Sequence, residues 1–488
     1  MRIAVLVAAV FCFSALVGLV AAFGSVKVAV LVAAAVFGSA MLALPTQLLF
    51  SGLFFLSFLL VGQLFYFGGF GQAVWISFGL GGLLFAKWIL AWFDSSQSRR
   101  LSVLGALAGL FLFSVVFSAV INLSPVLQAV AGGKNLVGLW GVFLVLGAGL
   151  VATTTVRRIW KSFFWILLFQ VPVVVYQYFV VAPSRTRFGS TTGGVEWDAV
   201  VGGFGGDPDG GGYSGGMAFF VCVAVAFAVA CYRRGLIGAF RLWVAVAAGL
   251  VSVGLAEVKV VVVLVPVAAI VMLAPHIKRR PLIVMLGIPV ALVAGVLVLF
   301  AYESLHYGNS GTTTNGGPAE IVERAFSYSL DPEHINYRTR EMGRVAALKL
   351  WWQEHSLSEP GEWLFGHGPG ASRGNSIVGA GEAARRYPFL IDRSAATQLL
   401  WDVGIIGFLA YMSACMIGAL KAAKLASTPG LDKVDAAILE SSAAGLAMLV
   451  IMMFYGRDPL EAPAVSVLIM LMLGYVVFQD RRCVARVG

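Results

Sequence analysis

Apolar runs of about 17 to 25 residues, each long enough to cross a bilayer as a helix, recur along most of this chain. They fall at residues 3–23, 28–44, 46–66, 70–93, 101–122, 136–154, 162–182, 216–232, 236–256, 260–275, 281–302, 395–420, 435–455 and 462–478. The pattern predicts about fourteen transmembrane helices. None of the runs alternates with the period of a membrane β-strand, and in lipid only helices or closed barrels satisfy their own backbone. The expected fold class is therefore all-α, a polytopic helical membrane protein. The first run is read as a retained helix and not a signal peptide, because a second run follows almost at once.

The pattern breaks once. Between Glu303 and Arg393 the chain turns hydrophilic, and this island holds His306, His334, His355 and His367, four of the five histidines, with nine arginines and lysines. The chain thus divides into residues 1–302, with eleven helices and a glycine-rich loop at 183–215; residues 303–394, a large and partly helical loop domain; and residues 395–488, with three helices and a short tail.

Composition agrees with the pattern: 59% hydrophobic residues, 12% charged and a mean hydropathy of +0.90 exclude a soluble globular domain. Basic residues are concentrated in one set of short connections, seventeen against five on the opposite side with the island left out. By the positive-inside rule both termini are cytoplasmic and the island lies outside. The net charge of +10 largely reflects this bias and gives no reason to expect a nucleic-acid partner. All five cysteines fall in spans or on the cytoplasmic side, so no disulfide is expected outside. No Walker loop, dinucleotide fingerprint or zincin helix occurs, which argues against ATP-driven work and leaves no cofactor expected.

Four segments carry candidate chemistry. The loop GGFGGDPDGGGYSGG (202–216) is either a flexible connector or a place where glycine N–H groups approach an anion. Its Asp207 and Asp209 are either turn formers or oxygen ligands for a cation, and no metal is assigned. The segment from Tyr337 to about Ser356 reads as a helix with Arg340, Arg344, Trp351 and His355 on one stripe, a face for a phosphate and a sugar or a surface helix on lipid headgroups. LFGHGPGASRG (364–374) is an alternating-glycine turn with His367 and Arg373. Glu257 and Lys259 place charge near membrane depth, facing a cavity or paired at a short turn.

In this order, G-x-F-x-x-x-P (202–208), the charged turn at 257–259, an arginine-led loop helix, L-F-G-x-G-x-G (364–370) and W-D-V-G-I-I-G-F-L (401–409), the motifs resemble those of the O-antigen ligase and O-antigen or capsule polymerase family. The resemblance covers roughly residues 120–455. It implies a bacterial inner-membrane glycosyltransferase that takes glycan from an undecaprenyl-diphosphate carrier to a sugar acceptor, working among membrane lipid and other polysaccharide assembly proteins. It also implies that Arg340, or its neighbour Arg338, matches the family's loop arginine. Arg344, Arg393, Lys259 and Arg187 would surround the diphosphate, and Trp351 would offer a stacking face. His367, Asp402, Asp392 and Glu341 are the base candidates. Ligase-like members carry His-Asn where this chain has Arg393-Ser394, which favours a polymerase over a ligase. A lipid-linked oligosaccharide flippase or proton-coupled transporter, and a noncatalytic assembly scaffold, stay open as readings of another class.

Overall fold

The computed structural model describes Gly38 and residues 40–94, 102–184, 199–206, 213–256, 258–277, 329–337, 340–355, 360–374 and 379–487. The predicted spans at 3–23 and 281–302, and most of 28–44, lie outside these residues. Within them the chain is helical, with one two-residue antiparallel ladder, β1 (Ile335–Asn336) on β2 (Glu341–Met342). Eight described helices are long and apolar enough to cross a membrane: α1 (Thr46–Tyr66), α2 (Gly71–Phe93), α3 (Val103–Ile121), α6 (Thr153–Val181), α7 (Ser214–Arg233), α12 (Ala395–Ala426), α13 (Lys433–Tyr455) and α15 (Pro463–Cys483). A bent pair, α4 (Val126–Val137) and α5 (Trp140–Gly147), makes a ninth if counted as one span. Two shorter apolar helices, α8 (Ala239–Leu255) and α9 (Val261–Ile277), complete the described bundle.

The bundle closes around α7, α13 and α15. Apolar side chains gain little from leaving lipid for protein, so close packing must hold such helices together, and small residues permit it. The α13 segment Ser441, Ser442, Ala443, Ala444 and Gly445 is built this way. A Cβ on Gly445 would lie 2.6 Å from Met472 Sδ of α15. Outer helices keep large apolar side chains toward lipid, among them Phe113, Val116, Trp165 and Trp243.

The run at 136–154 does not form the straight span that its hydropathy predicts. Instead α4 and α5 meet at a 44° bend. Glycines explain the joint: a Cβ on Gly141 would lie 2.1 Å from Gly81 O, and one on Gly81 would lie 2.2 Å from Gly138 O, so the bend lies backbone to backbone on α2. Its position leaves α4 amphipathic. Gln128 and Asn135 are buried, whereas Val126, Leu127 and Val130 are exposed on the other side.

At the end of the bundle away from the island, charges are tied in closed clamps. Arg157 binds Asp435 through two hydrogen bonds of 2.6 and 2.8 Å, and Tyr475 Oη donates to the same carboxylate at 2.8 Å. Both oxygens of Glu440 accept guanidinium hydrogen bonds, from Arg233 at 2.6 Å and from Arg234. Bidentate and shared pairing of this kind satisfies carboxylates that lipid cannot hydrate.

Candidate functional site

The island end is organised by two motifs that lie far apart in sequence. Helix α12 starts at Ser394, whose side chain accepts from Thr397 N in a reciprocal capping box, and breaks at Gly404, where φ is 68° and ψ is −171°. A break in a helix frees carbonyls that need new donors. The loop at 366–372, which follows the short helix α11 (Pro360–Phe365), supplies them: His367 N donates to Trp401 O at 2.8 Å and Gly368 N to Asp402 O at 3.1 Å. The Asp402 carboxylate completes the joint by accepting from Gly370 N and Ser372 N, each at 2.9 Å. Gly366, Gly368 and Gly370 all have positive φ, and a Cβ on Gly404 would lie 2.3 Å from Leu364 O. Alternating glycine is thus required by both backbone conformation and contact distance. Helix α4 is laid on this loop in turn, since a Cβ on Gly132 would meet Gly370 N at 2.2 Å.

Above the joint, the island has its own small core of Met342, Ala346, Ala347, Trp351, Phe389, Ile391 and Trp401. Two buried histidines stand in it between tryptophans: Trp351 stacks on His355 with centroids 4.9 Å apart, and His367 stacks on Trp401 at 5.4 Å. The histidines are joined Nε2 to Nε2 at 3.0 Å. Because His355 Nδ1 faces the Trp351 carbonyl at 2.8 Å, it carries the proton. His355 Nε2 therefore accepts, His367 Nε2 donates, and His367 Nδ1 is left as a lone pair 3.5 Å from Glu362 Oε1. Burial lowers the pKa of both, and with His355 and Arg386 nearby His367 falls to about 4. Both rings are neutral at pH 7.

A cavity of about 650 Å3 opens beside this core, lined by Phe65, Gln72 and Trp75 before and within α2, by Leu127, Val130, Lys134 and Asn135 of α4, and by Tyr213, Arg373 and Glu461. Glu461 belongs to the short helix α14 (Asp458–Glu461) between α13 and α15. Its Oε1 lies 3.1 Å from Arg373 Nη2 and its Oε2 lies 3.7 Å from Arg457 Nε, while Arg457 Nη1 donates to Asp392 Oδ2 at 2.9 Å. Lys134 Nζ donates to Asn135 Oδ1 at 2.6 Å and sits over the rings of Trp75 and Phe78, 5.1 and 4.8 Å from their centroids. Burial raises the pKa of the Glu461 carboxyl, but Arg373, Arg457 and Lys134 outweigh it and hold the pKa below the ordinary value. Burial pushes the Tyr213 hydroxyl pKa up, so that phenol stays protonated.

The polar atoms around this cavity are not saturated. Among the described residues Arg373 Nε and Asn135 Nδ2 are buried without a hydrogen-bond partner, and Glu461 Oε1 has only its ion pair with Arg373. Buried donors and acceptors left open in this way call for a ligand or water. The rim changes character along α4, because Leu127 and Val130 are 69% and 54% exposed and apolar. The cavity therefore offers cations and one carboxylate inside, aromatic faces at the side, and an apolar edge.

The residues singled out from sequence disperse around this site. Arg187, Arg338, Asp207, Asp209 and Glu257 lie outside the described residues. The expected helical stripe through Arg340 does not form: α10 (Arg344–Glu354) begins only after Gly343, and Arg340 sits in the β1–β2 turn region at φ 58°. Its guanidinium is exposed and donates to Pro388 O at 2.9 Å. Arg344 donates to Tyr455 O and Ser329 Oγ and lies 4.3 Å over the Tyr455 ring. Arg393 pairs with Glu341 at 3.3 Å. Trp351 is buried against His355, so its face is not open to a sugar. Asp402 holds the glycine loop, and Lys259 borders a separate apolar groove of about 480 Å3 among α7, α8 and α9. None of these six lines the cavity. In the glycine loop, the N–H groups of Val201, Gly202 and Gly203 are engaged by Gln177 and Gln170, and residues 207–212 lie outside the described residues.

Sequence reasoning passed over Lys134 and Glu461. The available signals were a lysine and asparagine inside an otherwise apolar run and the charge cluster Arg457-Asp458-Pro459-Leu460-Glu461 between two spans. No protein-family model matches the sequence, and no match to a curated protein is found.

Proposed function

We propose that the chain is a glycosyltransferase of bacterial surface-polysaccharide assembly, a polymerase that moves glycan from an undecaprenyl-diphosphate carrier to a sugar acceptor in the inner membrane. The observation that carries this reading is the cavity in which Arg373 and Lys134 face a carboxylate at the island end of the spans, beside an apolar edge. A lipid-linked diphosphate has matching parts: an anionic head for the two cations, a sugar for Trp75 and Phe65, and a tail for the exposed side of α4.

Displacing a diphosphate from an anomeric carbon builds negative charge on the leaving oxygens. Cations fixed before the reaction stabilise that charge without reorganising, and removing one such group typically slows a reaction about 10²–10³-fold. Arg373 is held in place by Glu461, and its Nε has an open hydrogen-bonding position. Lys134 is held by Asn135 and two rings. The resemblance of the 364–370 and 401–409 motifs to those of O-antigen ligases and polymerases supports the same assignment, and the joint between them brings Arg373 to the cavity.

Gene deletion followed by gel analysis of surface polysaccharide and of lipid-linked sugars tests it. Loss of polymer with single repeat units accumulating on the carrier, restored by the wild-type chain and not by Arg373→Gln, is the expected result. Full-length polymer stranded on the carrier would identify a ligase. Units trapped on the cytoplasmic leaflet would identify a flippase, and the enzyme reading would fall.

A further inference from the structure

We propose that Glu461 is the general base that takes the proton from the acceptor hydroxyl. The inference rests on the glycosyl-transfer reading and adds a residue that neither the motifs nor the family resemblance points to.

A base must reach the reacting hydroxyl, be ionised and have a free lone pair. The other base candidates, three carboxylates and one histidine, are engaged elsewhere. Both Asp402 oxygens are occupied by Gly370 N and Ser372 N. Asp392 is 1% exposed, bound to Arg457 and held up in pKa by burial. Glu341 is exposed and paired with Arg393, and His367 stands in the tryptophan core. Glu461 is the acidic side chain in the cavity lining. Its two oxygens face Arg373 and Arg457, which fix the carboxylate plane, while Oε1 makes no hydrogen bond among the described residues. The three cations around it keep it ionised, and its carboxylate shares the cavity with Arg373 and Lys134, the side chains assigned to the leaving diphosphate.

The step balances without an added reagent. The acceptor O–H proton passes to a Glu461 oxygen as the acceptor oxygen bonds to the anomeric carbon. The anomeric C–O bond to phosphate breaks, and its electron pair leaves with the diphosphate, beside Arg373 and Lys134. Glu461 then releases the proton to solvent. The role of Arg373 is consequently double, since it orients the base and receives the leaving group's charge.

The test uses the purified full chain in detergent, with undecaprenyl diphosphate as binding probe and, as donor, the lipid-linked glycan extracted from cells lacking the gene. Glu461→Gln, which keeps size and polarity, should bind undecaprenyl diphosphate within about 3-fold of wild type and lose transfer by about 10²-fold or more. Its residual rate should lack the acidic limb of the wild-type pH profile. In Glu461→Ala, azide needs no deprotonation and should restore donor consumption, forming a glycosyl azide. Transfer by Glu461→Gln within about 10-fold of wild type would overturn the proposal, as would loss of probe binding with no azide rescue, which would make Glu461 a structural clamp. Failure of the wild-type chain to bind the probe would instead overturn the donor reading on which the inference rests.

Discussion

The two ends of the bundle use the same residue types and treat them differently. Away from the island, Asp435 and Glu440 accept on both oxygens from Arg157, Tyr475, Arg233 and Arg234. At the island end, Asn135 Nδ2 and Arg373 Nε line the cavity without a hydrogen-bond partner among the described residues, and Glu461 Oε1 has only its ion pair with Arg373. A saturated buried ion pair holds helices in register, because removing either partner strands the other charge in a medium that cannot solvate it. An unsaturated one next to open space is poised to bind. Saturation, more than charge content, separates the clamp from the site.

Substitutions can break that distinction. Arg373→Gln should lower sugar transfer about 10²–10³-fold while leaving the folded fraction unchanged, measured as turnover of extracted lipid-linked glycan per monomeric chain. Glu440→Ala should do the reverse: stranding Arg233 and Arg234 costs about 3–5 kcal/mol, read as a lower Tm in detergent, with turnover per folded chain preserved. Equal effects of the two on both readouts would erase the contrast.

Acid should act at the island end first. An unfolded His367 titrates near 6.5 and the folded one near 4, so below pH 6.5 the unfolded state holds a proton that the folded state lacks. Stability is therefore full above pH 6.5 and declines as pH falls toward 4, by on the order of 3 kcal/mol from this group. Hydrogen exchange should show the loss in α10 and the 366–372 loop, and His367→Gln should flatten it. The smallest effect is expected at Arg340, whose exposed guanidinium donates to Pro388 O; Arg340→Ala should cost less than about 1 kcal/mol and change transfer by less than about 3-fold.

The helical membrane architecture could be read from hydropathy, because the lipid solvent makes the rule local: a long apolar run must satisfy its own backbone. The errors occur where long-range contact overrides the run. The bend between α4 and α5 depends on glycines meeting Gly81 of another helix, and hydropathy does not see it. The sequence pattern predicts a loop helix through Arg340, but β1 pairs with β2 and the helix starts after Gly343. The glycines and Arg373 of the 364–374 turn stand out in sequence, yet their use does not, since Lys134, Arg373 and Glu461 are joined only by folding. Lys134 in particular lies within an apolar stretch and reads as an isolated cation until Trp75 and Phe78 are placed beneath it.

The contact between the Gly366 loop and the break at Gly404 bears on how such a chain can change over time. Each glycine is required because the other segment's backbone lies against it, and the freed carbonyls of Trp401 and Asp402 are answered by the amides of His367 and Gly368. A side chain gained at one position removes the reason for glycine at the other. In relatives of this protein the two motifs should therefore be kept together or lost together, inherited as one unit although the chain writes them apart.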